Sequence, residues 1–387
     1  MSERIRLLAF VTVFDVGGTE RQLVALAKGL DPSRFDLRVA CFKRSGTFLP
    51  ELEAQGIPVV NYPIRSLHGL STVKEQLLFA RDLRRHRIQI LHTFNFYPNM
   101  FAILAARLAG VPVIIATLRD MGDLWTPMQR RVQRWVCRMA HRVVANADAV
   151  REQALKQGYN PEKVCVIRNG LDLAKFTSAP DVALQRDALG LPPHVPVVAV
   201  FSRLNHEVKG IHHFLEAAAR VTQVHRDVRF LVVGEGPLRA GLEALAQRLG
   251  LGDRVRFTGF RSDIGAAMAA VSISVIPSDS EGLSNVLLES MAASLPVIAT
   301  RVGGTPEVVA HEQSGLLVPP RDPEALARAI GSLLNDPVRA ANLGRAGRRR
   351  VEQLFQLGRM VGETEALYDS MLLRAGHRSE LAAGHAR

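Results

Sequence analysis

Cysteine is scarce in this chain of 387 residues, and the three cysteines show no pattern. Cys41, Cys137 and Cys165 are odd in number, widely separated and without the spacing of metal ligands. A disulfide framework requires paired cysteines, and a zinc site requires closely spaced ones. The sequence therefore predicts structural thiols in a reducing cytoplasm.

Long apolar runs are also missing. The first run, residues 7–14, has 8 residues and leads into Asp-Val-Gly-Gly at 15–18, which fits a strand and a glycine turn better than a signal peptide. The uncharged stretch 264–278 has 15 residues and includes glycine and serine, whereas ~20 apolar residues are needed to span a bilayer. We expect no transmembrane helix.

Acidic residues are scarce in the first half of the chain but not in the second. Residues 1–180 hold 26 Lys and Arg against 15 Asp and Glu, a net charge of +11, while residues 181–387 hold 23 against 22, a net charge of +1. Arg130, Arg134 and Arg138 recur every four residues beside Trp135, so they would share one helical stripe. Two interpretations stay open: contact with anionic lipid headgroups, or the solvated outer face of a helix packed on a sheet.

The rest of the composition is typical of a soluble globular enzyme, with 47% apolar and 22% charged residues, and the length allows two or three domains. Short apolar, β-branched runs alternate with helical patterns, which predicts parallel strands covered on both faces by helices. The predicted strands are 6–14, 35–42, 59–64, 88–94, 112–118, 142–147 and 164–167, then 197–201, 229–233, 255–258, 273–276, 296–299 and 316–318. We therefore expect an α/β protein of two doubly wound domains, with a connector at about 171–193.

Residues 277–289 are the most informative segment, because they join an apolar strand to a helix. Ser284 and Asn285 are good N-caps, and the backbone N–H groups at such a helix start receive a phosphate oxygen well. Glu281 precedes the helix and Glu289 lies inside it, so both carboxylates can face one crevice and accept hydrogen bonds from sugar and ribose hydroxyls. This segment predicts a sugar-nucleotide site.

This segment and four others together resemble glycosyltransferase family 4. The family signature is a Glu, seven residues and a second Glu, and here it reads EGLSNVLLESMAASLPVIATRVGGTPEVV. The resemblance continues through FSRLNHEVKG, VVGEGPL, FTGF and RNGLDLAKF and covers most of residues 5 to 330. The combination is specific to the family, whereas the two glutamates alone are not.

The resemblance implies a GT-B fold, which is α/β with two Rossmann-like doubly wound domains facing a central cleft. The expected domains are 1–175 on the acceptor side and 190–352 for the nucleotide sugar. Residues 353–387 would form a C-terminal helix that returns to the N-terminal domain, followed by a frayed tail from Ala375.

The resemblance also implies a retaining, metal-independent hexosyl- or N-acetylhexosaminyl-transferase without a cofactor. Its expected partners are a UDP- or GDP-linked sugar and a hydroxyl acceptor, for which a lipid-linked saccharide is a candidate, but no nucleic acid. The expected place is the cytoplasm, with a peripheral position on the inner face of the cell membrane as an open alternative. Polysaccharide or glycolipid biosynthesis is the expected role.

Site residues follow from the same resemblance. A leaving diphosphate needs cationic or dipolar stabilisation, and Arg203 and Lys209 match the family's basic pair. Lys209 is also the only lysine after Lys175, and a compact ammonium suits phosphate contacts. With Glu281 on the sugar, these residues form the expected catalytic set. The expected substrate-binding set is Gly17, Gly18, Arg119, Gly234, Phe260, Arg261, Gly282, Leu283, Ser284, Asn285 and Glu289.

Some of these roles stay open. Glu289 would hold the ribose, and Phe260 or Arg261 would cover the base, although core packing explains Phe260 equally well. Many relatives place a sugar-contacting His after the fifth strand, where this chain has Arg119, so the sugar contact and the acceptor type are unsettled. His92 either lines the acceptor side or is a buried, hydrogen-bonded histidine.

Asp279-Ser280-Glu281 resembles the carboxylate metal motif of other sugar transferases. The basic pair and the helix start take the place of a metal here, so we expect no metal site. Two other functions need to be distinguished. A GT-B sugar-nucleotide epimerase would release a free epimerised sugar nucleotide, and a non-catalytic membrane- or nucleic-acid-binding module would leave the Arg203, Lys209, Glu281 and Glu289 set unexplained.

Overall fold

The computed structural model describes residues 3–64, 66–67, 69–176 and 181–384, with side chains to residue 376. The chain forms two compact units: Met1–Gly170 with Leu357–Arg387, and Leu171–Gln356. Each unit contains one parallel sheet with helices.

Seven parallel strands form the sheet of the first unit. They are β1 (Ile5–Val11), β2 (Phe35–Cys41), β3 (Val59–Asn61), β4 (Ile90–Phe94), β5 (Val113–Leu118), β6 (Arg142–Ala145) and β7 (Val164–Val166). Their spatial order is β3-β2-β1-β4-β5-β6-β7, with β1 paired to β2 on one side and to β4 on the other. The chain order therefore reverses between β1 and β4.

Six helices connect these strands. They are α1 (Gly18–Gly29), α2 (Leu49–Glu53), α3 (Leu70–Arg85), α4 (Phe96–Ala109), α5 (Pro127–Cys137) and α6 (Asp148–Lys156). A capping box starts α5, because Thr126 Oγ1 accepts a hydrogen bond from Gln129 N while the Gln129 side chain accepts one from Thr126 N. α4 packs against α3 and against α5, so these three helices lie side by side.

Six parallel strands form the sheet of the second unit. They are β8 (Val197–Phe201), β9 (Arg229–Val233), β10 (Val255–Gly259), β11 (Ile273–Ile276), β12 (Val297–Thr300) and β13 (Leu316–Val318), in the spatial order β10-β9-β8-β11-β12-β13. Here the chain order reverses between β8 and β11. Open α/β sheets bind ligands beyond the carboxyl ends of the strands at such a reversal.

The helices of the second unit are α7 (Val182–Ala188), α8 (Ile211–Val224), α9 (Arg239–Arg248), α10 (Ile264–Ala269), α11 (Asn285–Ala292), α12 (Thr305–Val308), α13 (Pro323–Asn335) and α14 (Pro337–Leu354). Short 3-10 turns occupy 173–176, 207–209 and 252–254. The predicted connector thus contains a turn and α7, and its residues 177–180 lie outside the described residues.

The last helix, α15 (Leu357–Gly384), belongs to the first unit and packs on α1. It contributes Met360, Val361, Tyr368 and Met371 to the core beneath that sheet. The helix continues beyond Ala375, where the sequence predicts fraying, to Gly384, and residues 385–387 lie outside the described residues.

Burial explains why the strands read as unbroken apolar runs. Every residue of β5, β8, β11 and β12 is buried, as expected for parallel strands covered on both faces. The prediction of two doubly wound α/β domains is confirmed. Within the described part of the chain, no helix is both long and apolar enough to cross a membrane.

Candidate functional site

Two loops meet at the carboxyl edge of the second sheet, where the chain order reverses. One follows β8 and carries Arg203 and Lys209; the other follows β11 and leads to Ser284. Asp279 N donates to Val208 O over 2.8 Å, which fastens the second loop to the first. The sequence places these loops more than 60 residues apart, and the β8–β11 pairing brings them together.

Lys209 and Glu281 form an ion pair across this junction. Lys209 Nζ lies 2.8 Å from Glu281 Oε1, and the two side chains are 29% and 12% exposed. Ser278 Oγ donates to the same carboxylate oxygen over 2.8 Å. Arg203 is exposed at the start of the β8 loop. A half-buried ammonium, an exposed guanidinium and an oriented carboxylate therefore share one strand edge.

Glycines allow the loops to approach this closely. Gly210 has φ +65°, and a Cβ added to it would lie 2.0 Å from Pro277 O. Gly234 has φ +147°, and a Cβ there would lie 1.8 Å from Ser202 O. Any side chain at either position would push apart the loops that carry the candidate residues.

The start of α11 completes this edge. Ser284 is its N-cap, with Oγ accepting a hydrogen bond from Leu287 N over 3.4 Å, as the sequence predicts. Gly304 N donates to Gly282 O over 2.9 Å and fixes the turn before the cap. Gly282, Leu283 and Asn285 are buried, and Glu289 is 3% exposed.

The remaining candidates of this unit lie at the ends of β9 and β10. Gly234 N donates to Gly259 O over 3.0 Å, joining the two strand ends. Phe260 follows β10 and is 49% exposed, so core packing does not explain it. Arg261 is engaged by both carboxylate oxygens of Asp263, at 2.8 and 2.6 Å.

Sequence reasoning missed a second charged cluster beside Glu281. Arg321 Nε lies 2.9 Å from Asp279 Oδ2, and His213 Nε2 lies 3.5 Å from Asp279 Oδ1. Arg321 has φ +57°, a left-handed conformation uncommon for a residue other than glycine. Desolvation lowers the pKa of His213, and the neighbouring His212 lowers it further. In the part of the chain with described side chains, no three His, Cys, Asp or Glu residues are grouped as a metal site would require.

The candidates of the first unit lie at the carboxyl edge of the other sheet. Gly17 is the N-cap of α1 and Gly18 its first residue. Arg119 follows β5, and its Nη2 donates to Asn169 Oδ1 over 2.5 Å. Desolvation lowers the pKa of Arg119 to about 10, while the charge of Glu20 acts in the opposite direction. Arg119 is thus a cation at neutral pH.

Both halves of the chain match glycosyltransferase families. Glycosyltransferase Family 4 matches residues 16–175, and Glycosyl transferases group 1 matches residues 195–336. The 2-deoxystreptamine glucosyltransferase of Streptomyces kanamyceticus is 32% identical over 284 residues, covering 70% of this chain and 73% of that protein. The D-inositol 3-phosphate glycosyltransferase of Corynebacterium urealyticum is 36% identical over 317 residues, covering 73% of each. The chain belongs to glycosyltransferase family 4.

Solved structures agree with this assignment. Anabaena HepE in complex with UDP and glucose superposes with a TM-score of 0.86 at 26% identity, covering 95% of this chain and 100% of that one. WaaG, a transferase of lipopolysaccharide biosynthesis, has a TM-score of 0.74 at 19% identity, covering 91% and 97%. The GT-B fold that the sequence resemblance implies is confirmed, and the family 4 chain is a glycosyltransferase.

His92 is buried in the first unit, and both of its ring nitrogens have hydrogen-bond partners. Its side chain is 3% exposed, Nδ1 lies 2.7 Å from Tyr368 Oη, and Nε2 lies 2.7 Å from Thr117 Oγ1. Desolvation, assisted by the charge of Arg119, lowers the pKa of His92 to about 3. Of the two interpretations, the buried, hydrogen-bonded histidine is correct, and it links α15 to β4.

The low pKa of His92 predicts a loss of stability in acid. The unfolded chain binds a proton at this residue near pH 6.5, whereas the folded chain binds it near pH 3. Between those values the unfolded state holds more protons, so stability falls as pH falls. We therefore expect the free energy of unfolding, measured with urea, to fall by about 3 kcal/mol less in His92→Gln than in the wild type when the pH is lowered from 7 to 4. Parallel pH profiles would contradict this.

Proposed function

We propose that the second unit binds a nucleoside-diphosphate sugar at the Lys209–Glu281 junction and that the enzyme transfers the sugar to a hydroxyl acceptor. The observation that carries this proposal is the 2.8 Å contact between Lys209 Nζ and Glu281 Oε1 at the strand-order reversal. An ammonium has three N–H donors, so Lys209 can hold Glu281 and still donate to phosphate oxygens.

The diphosphate is stabilised by Arg203, Lys209 and backbone N–H groups at Gly282, Leu283, Ser284 and Asn285. As the bond from the sugar to the diphosphate breaks, negative charge grows on the leaving group, and fixed cations and N–H dipoles favour that charge. The buried turn before α11 supports this role, because its N–H groups lie at a helix start that has a side-chain cap.

The other contacts with the sugar nucleotide are assigned from where the remaining candidate side chains lie. Glu281 accepts hydrogen bonds from sugar hydroxyls, since it is held beside the diphosphate by Lys209 and Ser278. Glu289 accepts from the ribose, and Phe260 or Arg261 covers the base beside Gly234. HepE structures with UDP and with UDP-glucose support a uridine donor, with GDP sugars as the second choice.

The reaction retains the configuration of the sugar. The bond between the anomeric carbon and the diphosphate oxygen breaks, and the bond to the acceptor oxygen forms on the same face. The leaving diphosphate takes the acceptor's proton, so no protein nucleophile is required. Lys209 and Arg203 carry the charge that a divalent ion would otherwise neutralise, and we propose a metal-independent hexosyl- or N-acetylhexosaminyl-transferase.

Arg119, Gly17 and Gly18 serve the acceptor or the transferred sugar from the first unit. The Escherichia coli relative named UDP-Gal:alpha-D-GlcNAc-diphosphoundecaprenol alpha-1,3-galactosyltransferase is 26% identical over 373 residues, covering 92% of this chain and 95% of that protein. The diphosphoundecaprenol-linked GlcNAc in that protein's name supports a lipid-linked saccharide as the acceptor here. We place the chain in polysaccharide or glycolipid assembly at the cytoplasmic face of the membrane.

The outer face of α5 supports a peripheral position, although it differs from the predicted arginine stripe. Arg134 is turned toward the protein, where its Nη1 donates to Gln157 O over 2.6 Å. Trp135 is 58% exposed, and Arg131 and Arg138 are exposed beside it. An aromatic ring flanked by arginines suits the interface of an anionic bilayer.

A thermal-shift screen in EDTA tests the donor and the absence of a metal together. A nucleotide at 100 times its Kd stabilises a protein by ~2.7 kcal/mol, so UDP, GDP or one of their sugars should raise Tm, equally in EDTA and in Mg²⁺. A rise that requires Mg²⁺ or Mn²⁺ would make Asp279 or Glu281 a metal ligand. No rise with any nucleotide would overturn the donor site.

A further inference from the structure

α3 carries a row of large apolar side chains that the fold leaves uncovered. Leu70 is 90% exposed, Val73 51% and Leu77 59%. The spacing of three and four residues places them on one stripe of the helix. The opposite stripe is buried against the unit, with Thr72, Phe79, Ala80 and Leu83 inside. α3 therefore has two apolar faces, and the unit covers one of them.

The exposed stripe changes character along the helix. Its first two turns hold the three apolar residues together with Lys74, while its last turns hold the exposed Arg81, Arg84 and Arg85. Two acidic residues lie on α3, Glu75 and Asp82, and both are half-buried. Asp82 also accepts a hydrogen bond from Tyr62 Oη over 2.9 Å. The outward charge of α3 is thus positive.

Exposed apolar side chains are concentrated in this part of the molecule. Among the described residues, ten of the 17 exposed large hydrophobic side chains fall between Leu70 and Trp135. α4 lies between α3 and α5, and α5 adds Met128, Val132 and Trp135 to the exposed set. Three large apolar side chains uncovered on one stripe of α3, with a second such stripe on the neighbouring α5, mark a candidate interaction surface.

We propose that α3 is a lipid-contacting helix that binds an anionic bilayer. The first turns bury Leu70, Val73 and Leu77 at the boundary of the acyl chains, while Arg81 and Arg85 bind the headgroups; Arg84 Nη2 donates to Leu108 O of α4 instead. Charge complementarity identifies the partner. A contact with a second copy of the chain would set this net-positive surface against itself, whereas anionic lipid neutralises the surface. The inference deepens the proposed peripheral position, which rests on α5.

Sedimentation with lipid vesicles tests this inference on the full chain. Vesicles of phosphatidylglycerol and phosphatidylcholine are compared with vesicles of phosphatidylcholine alone. The apolar variant combines Leu70→Ser, Val73→Ser and Leu77→Ser, and the charge variant combines Arg81→Glu with Arg85→Glu. The matched control is Val224→Ser, since Val224 is 78% exposed at the end of α8 in the second unit.

We expect the wild type and the control to bind the anionic vesicles alone. At every salt concentration the apolar variant should bind the vesicles more weakly than the wild type, by about tenfold or more, because it loses buried apolar area. The charge variant should lose binding mainly at low salt, where headgroup attraction is strongest. Melting curves and nucleotide-induced shifts equal to those of the wild type show that the variants fold and keep the donor site.

Two results would overturn the inference about α3 and leave the proposed donor site unaffected. In the first, both α3 variants bind the vesicles as well as the wild type does, while a variant with Trp135→Ser and Arg131→Glu loses binding. The lipid contact would then be α5. The other is no vesicle binding by the wild type, with a dimer in velocity sedimentation that the apolar variant abolishes. In that case the partner is a second copy of the chain.

Discussion

We expect Lys209→Ala to lower turnover more than tenfold while the fold stays intact. A charge-assisted contact is worth ~1.5–3 kcal/mol, which corresponds to roughly 10- to 150-fold in rate. The loss has a second cause, because Glu281 then lies without its ammonium beside a diphosphate that gains charge. Steady-state transfer from the donor measures the effect.

Lys175→Ala is the matched control, because Lys175 is the other lysine in the second unit and is exposed in a 3-10 turn that contains none of the candidate residues. It should transfer sugar as the wild type does. Arg203→Ala should also lose more than tenfold. Wild-type turnover in both Lys209→Ala and Arg203→Ala, with unchanged melting curves, would contradict the phosphate assignment.

Glu281→Gln and Glu289→Ala should fail in different steps. Glu281→Gln keeps the size of the side chain but removes the charge that Lys209 and Ser278 orient, so turnover should fall roughly tenfold or more while nucleotide affinity changes little. Glu289→Ala removes the proposed acceptor for the ribose hydroxyls, so nucleotide affinity should fall roughly tenfold.

Titration calorimetry with the nucleotide and steady-state transfer with the sugar donor separate these two effects. Glu289 is 3% exposed, so its variant also needs a melting curve to show that the loss of a buried carboxylate leaves the fold intact. The reverse order, with affinity lost in Glu281→Gln and turnover lost in Glu289→Ala, would mean that the sugar and ribose assignments are exchanged.

The strands could be predicted from the sequence because burial on both faces leaves a simple signal. The runs 197–201, 229–233 and 273–276 coincide with β8, β9 and β11. The start of α11 was predictable for a local reason, since Ser284 is a good cap ahead of an apolar turn. Strand order and the meeting of the two loops then follow from the doubly wound topology.

Contacts between distant side chains could not be predicted in this way. Arg321 reaches Asp279 across 42 residues, from a backbone conformation that the residue type does not signal. Tyr368 reaches His92 across 276 residues, and it decides that the histidine is structural. Likewise the sequence places Arg134 on the arginine stripe of α5, but packing decides that this side chain is turned toward the protein.

Titration calorimetry of UDP and GDP sugars in EDTA tests the central claim most directly, with the wild type, Lys209→Ala and Lys175→Ala compared side by side. The account predicts that the wild type and Lys175→Ala bind at least one of these donors with equal affinity. For Lys209→Ala it predicts donor binding that is weaker by about tenfold or more. Equal donor binding by all three proteins would move the diphosphate away from the Lys209–Glu281 junction, and binding by none would contradict the donor itself.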